Sequence, residues 1–84
     1  MPTISIFYGI RIAMRLIEKE HQPPHIHAFY GNDNASFSIK DGEIISGSLP
    51  ATAKRLVKQF IIENQKELLK MWETGIYKKL EGIK

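Results

Sequence analysis

From Ile10 to Gly47 apolar and polar residues mostly alternate, and from Pro50 onward apolar residues recur at helical spacing. This change of period divides the chain into a strand-forming part and a helix-forming part. Ile10, Ile12, Met14 and Leu16 alternate with Arg11, Ala13 and Arg15, which predicts a half-buried strand over 10–16. Pro23-Pro24 cannot sit inside a central strand and marks a stiff turn before a second strand at 25–30. Gly31-Asn32-Asp33-Asn34 is turn chemistry, and Ala35, Phe37 and Ile39 give a third strand. Asp41-Gly42 turns the chain into a short fourth strand near 43–47, and Ile4-Ser5-Ile6 suggests another short one, with Gly9 as a bend.

Ser48 or Leu49 is expected to cap the helical part, with Pro50 in its first turn. Ala53, Leu56, Val57, Phe60, Ile61, Leu68, Met71 and Trp72 form its apolar stripe. Glu63-Asn64-Gln65-Lys66 is either exposed helix or a break, so the expectation is one long helix or two. Thr74-Gly75 is a stop, and the tail from Ile76 is expected to be irregular. The resulting fold class is α+β: one domain over 1–84, with a small antiparallel sheet of three to four strands and the C-terminal helix packed on one face.

A chain of 84 residues buries only about 60–65% of its unfolded surface, which points to a homodimer or a partner chain. With no cysteine, thiol catalysis and Cys-type zinc sites are excluded, and a reducing cytoplasm is the expected compartment. The opening Met1-Pro2-Thr3-Ile4-Ser5 lacks the basic-then-apolar pattern of a signal peptide, and no apolar run approaches membrane-spanning length. The net charge of +3 mildly favours an acidic or polyanionic partner.

If the apolar strand positions pack under the helix, the opposite face carries Arg11, Arg15, His25, His27, Phe29, Ser36, Ser38 and Lys40, a set without a carboxylate. It is either an ordinary solvated face or a surface for an anion or a partner. Within it lies the chain's only concentrated chemistry, His21-Gln22-Pro23-Pro24-His25-Ile26-His27. Three readings stand. The histidines can lock the turn through hydrogen bonds. His21, His25 and His27 can supply three nitrogens to a zinc ion, with Glu20 and Asp33 as additional ligands. Alternatively His25 and His27 can act as acid and base in a metal-independent, ribonuclease-type reaction, while His21, Arg11, Arg15 and Lys40 bind the substrate. Trp72 and the Leu56/Phe60 stripe read as core, and Lys54, Arg55 and Lys58 as a solvated helix face. No phosphate-binding glycine loop or serine-nucleophile elbow is present.

Phe7-Tyr8-Gly9-Ile10, His21-x-Pro23-Pro24-His25-x-His27-x-x-Tyr30, Gly42-Glu43-x-x-x-Gly47-x-Leu49-Pro50, Leu56-Val57 and Glu67-Leu68-x-x-x-Trp72 together resemble the domain-of-unknown-function family 4160. The resemblance implies a small bacterial protein, often encoded beside a second small protein in an arrangement like a toxin–antitoxin pair. It therefore implies a module that binds a neighbouring small protein, with RNA as a further target. This chain departs from the family pattern at Gln59-Phe60, where an aromatic-plus-acid pair is common, and near Asn64 and Met71, where a His and an Asn are frequent.

Overall fold

The computed structural model describes residues 1–15 and 23–84. Five strands, β1 (Thr3–Phe7), β2 (Ile10–Ala13), β3 (His25–Tyr30), β4 (Asp33–Ser38) and β5 (Ile44–Gly47), precede two helices, α1 (Ala51–Glu63) and α2 (Gln65–Thr74). The strands form one antiparallel sheet in sequence order. The class is α+β as expected, but the sheet has five strands rather than three or four. The extra strand is the Ile4 segment, which pairs along β2. The strand expected over 10–16 ends at Ala13, although the Met14 N–H still donates to Pro2 O; Leu16 lies outside the described residues.

Turn chemistry sets the register. Tyr8 and Gly9 both have positive φ, 49° and 77°, which is the two-residue turn whose twist matches a hairpin, and it places Phe7 opposite Ile10. Gly31, with φ 58°, opens the next two-residue turn and places Tyr30 opposite Asp33. Gly42 turns β4 toward β5 and lies so close to α1 that a Cβ there would come 2.8 Å from Lys58 Cγ.

The helical part is two helices. Asn64 interrupts it, and its side-chain amide donates to Phe60 O. The polar patch is thus a break. At the other end of α1 the cap is Pro50, which offers no side-chain hydrogen bond, in place of the expected Ser48 or Leu49. Gly75, at φ 74°, ends α2 by donating its N–H to Met71 O. The Gln65 amide ties the start of α2 to the end of β4 by donating to Ile39 O and Lys40 O.

The core lies between one sheet face and the helices. Ile10, Ile12, Ile26, Ala28, Ala35, Phe37 and Ile39 join Val57, Phe60, Ile61, Leu68 and Met71 in one buried cluster, and the Phe7 and Phe60 rings stack at 5.1 Å. The tail has no regular structure but is docked. The Leu80 N–H donates to Ile4 O, and Leu80 and Ile83 pack against the core.

Candidate functional site on the outer sheet face

Strand alternation and register define the outer face row by row. Ile6, Arg11, Phe29 and Asn34 lie opposite one another in turn across β1 to β4. Ala13, His27, Ser36 and Ser46 form the next row, and His25 lies opposite Ser38 in the one after.

The first row is open. Ile6 is 66% exposed, while Arg11 and Phe29 are half-buried. The Arg11 guanidinium sits over the Phe29 ring at 4.4 Å from its centroid, a cation–π contact across neighbouring strands, and one of its nitrogens donates to Thr3 Oγ1 at 3.0 Å. These contacts hold the guanidinium plane against the sheet.

The histidines occupy the other end. His27 is half-buried, with Nδ1 3.3 Å from the Ser36 hydroxyl directly opposite. His25 is only 5% exposed. Its Nδ1 lies 3.0 Å from Pro23 O, and because a carbonyl only accepts, Nδ1 carries the proton and Nε2 the lone pair in the neutral ring. Pro24 O accepts from the Ile39 N–H. Both proline carbonyls are therefore used to join the turn to its surroundings. The His25 and His27 rings meet edge to face at 5.1 Å, and on its other side His25 lies 5.1 Å from the Trp72 ring.

This corrects one expectation. His25 is not on an open surface with Arg11 but is buried against Trp72 of α2. The remaining binding candidates are spread out. Arg15 is exposed, two residues past β2, and Lys40 is exposed just past β4. His21 lies outside the described residues.

The zinc reading rests on the imidazoles. The Nδ1–H of His25 bonded to a backbone carbonyl is the arrangement that commonly orients a ligand imidazole through Nε2. Among the described residues the two imidazoles are fewer than the three or four protein ligands zinc takes, and His21, the third of the expected set, lies outside them. Among the described residues no group of three His, Asp or Glu is placed to hold a metal ion.

Sequence reasoning gave no role to three residues that shape this face. Phe29 was only a face residue, Ser36 only a hydroxyl, and Trp72 only core. The two-residue turn at Gly31-Asn32 already fixes His27 opposite Ser36 and Phe29 opposite Asn34. The Trp72–His25 contact depends on the angle at which α2 leaves Asn64, which no periodicity encodes.

No helix among the described residues is long and apolar enough to cross a membrane. No curated protein and no solved structure matches the chain. The sequence profile of the family described as Domain of unknown function (DUF4160) matches residues 9–73, from the β1–β2 turn through most of α2. With most of its length matched, the chain belongs to the domain-of-unknown-function family DUF4160.

Proposed function

We propose that this chain is a toxin–antitoxin-like binding module of the cytoplasm whose outer sheet face receives single-stranded RNA and whose activity is governed by a neighbouring small protein. The observation that carries the reading is the Arg11–Phe29 pair, a guanidinium plane held over an aromatic ring on an open strand row. Aromatic and guanidinium planes on a sheet are stacking surfaces for unpaired bases, and the fixed positive charge attracts the phosphate backbone. His27 and Ser36 in the next row add donors and acceptors for base edges. The net charge of +3 suits a polyanion.

Binding is favoured over cleavage. A ribonuclease-type pair needs both imidazoles at the scissile phosphate, whereas His25 is buried between His27 and Trp72 with Nδ1 turned to Pro23 O. In this reading His25 positions His27 and braces the turn, and His27 makes the polar contact.

The test is fluorescence anisotropy with short single-stranded RNA over a salt series. Phe29→Ala should weaken binding about tenfold or more through lost stacking. Arg11→Ala should weaken it similarly and flatten the salt dependence. His27→Ala should have a smaller effect. Equal affinity of the wild type and the Arg11→Ala/Phe29→Ala double variant would remove the reading. RNA cleavage that is lost in His25→Ala would restore the enzymatic one.

A further inference from the structure

The two edges of the sheet are treated differently. Along β1 the chain's own tail is docked, with the Leu80 N–H on Ile4 O. The outer edge of β5 carries no backbone hydrogen bond among the described residues, because the bonds of Glu43 and Ser48 beside it run inward to Ser38 and Asn34 of the β4 segment. Exposed edges are usually blunted by a charge, a proline, short length or a bulge. Ile44-Ile45-Ser46-Gly47 has no charge or proline; it is four residues long, with one irregularity in its pairing where Ser46 faces Ser36 and Ile44 faces Phe37, and Ile45 is 48% exposed.

The ends of this edge are of opposite character. Asp41 and Glu43 lead into it, both exposed; the Asp41 carboxylate accepts from the Glu43 N–H, and Glu43 pairs with Lys58. Past the other end α1 begins, with no side-chain cap and no acidic residue in its first turn. The N–H groups of that turn and the positive end of the helix dipole are thus left without an anionic partner from α1 itself. Lys54 and Arg55 follow, both exposed.

We propose that β5 pairs antiparallel with β5 of a second copy of this chain, centred on Ile45, so that two sheets become one. In that two-fold arrangement Glu43 of each copy is level with Gly47 of the other, and Asp41 with Leu49. The acidic end of each strand then lies beside the uncapped start of the other copy's α1, while the two acidic ends stay apart. A self-complementary edge of this kind is what an isologous dimer requires. The proposal is independent of the RNA reading, which uses the Arg11–Phe29 row.

Light scattering after gel filtration at about 100 µM populates a dimer with a Kd of that order or tighter. The wild type should have a mass of about 19 kDa, twice the 9.6 kDa chain. Ile45→Lys should weaken association about tenfold or more while circular dichroism stays unchanged. Ala51→Glu separates fold from assembly. It supplies the missing first-turn acid and so raises the stability of the isolated chain, yet it weakens the dimer by facing the partner's carboxylates. In this cysteine-free chain, Ile45→Cys should cross-link to a covalent dimer on oxidation, and the more exposed control Ile6→Cys on β1 should not. A monomeric wild type at that concentration, or a dimer whose mass survives Ile45→Lys and whose Ile45→Cys form does not cross-link, overturns the proposal.

Discussion

The His25 imidazole lies with its centroid 5.1 Å from the Trp72 ring, which joins the first residue of β3 to the last turn of α2. Both side chains are nearly sealed from solvent. The pair fixes how α2 closes over the end of the sheet. Trp72→Ala should cost about 3–5 kcal/mol of stability. His25→Ala should cost about 1–3 kcal/mol, because the Pro23 carbonyl loses its donor. A double-mutant cycle by urea denaturation should give a coupling of about 0.5–1.5 kcal/mol. Additive losses would mean that the two rings act independently.

Tyr8 occupies the left-handed region at φ 49°, and its ring is mostly exposed at the hairpin tip. A bulky side chain is disfavoured there, whereas Asn tolerates the conformation and suits this turn. Tyr8→Asn should therefore stabilise the fold by about 0.5–1 kcal/mol, raising Tm by about 4 °C in a domain of this size. Calorimetry on the two forms checks this; an unchanged or lower Tm would show that the tyrosine ring supports the turn.

The Ser5 hydroxyl is buried, next to the irregularity in the β1–β2 pairing, without a hydrogen-bond partner among the described residues. It loses water on folding. Ser5→Ala should leave the sheet intact and raise stability by about 1 kcal/mol in chemical denaturation. A loss of stability would mean that the hydroxyl has a bond to ordered water.

Glu67 and Lys78 form an ion pair at 2.9 Å between α2 and the tail. The Lys78 ammonium, through its hydrogen bond and its charge, holds the Glu67 carboxyl below the usual carboxylate range. A folded-state pKa below the unfolded one means that the contribution is complete above the unfolded value, near about 4.3. It fades as pH falls through the lower folded value. The stability difference between wild type and Lys78→Ala should accordingly be present at neutral pH and shrink on acidification. Urea melts across the acid range check this, and a difference constant with pH would assign the lysine's contribution to its alkyl chain.

Local rules recovered most of the fold. The hairpin turns and the Gly75 stop are each specified within a few residues and lie where turn and capping chemistry predicts, while the break at Asn64 is one of the two outcomes the polar patch leaves open. Ile4-Ser5-Ile6 suggests a short strand but is too short to show a period, so the count of three to four falls one short of the sheet that its pairing with β2 completes. The site was less legible. Alternation put Arg11, His27 and Phe29 on one face correctly, because the hairpin register carries that information. It also assigned His25 to solvent, since a pattern of faces contains nothing about the Trp72 ring that packs against it.

The contact between Leu80 and Ile4 has a kinetic consequence. Every strand pair in the sheet joins sequence neighbours, so each can zip from its own turn at little loop-closure cost. The Ile4–Leu80 bond, by contrast, closes a loop of nearly the whole chain and must wait until those hairpins and helices have shortened the distance to be spanned. Docking of the tail should then be the last event in folding and the first to reverse. In native-state hydrogen exchange the Leu80 amide should open at a lower free energy than the amides of β3 and β4, with β1 losing the cover on its edge each time it does.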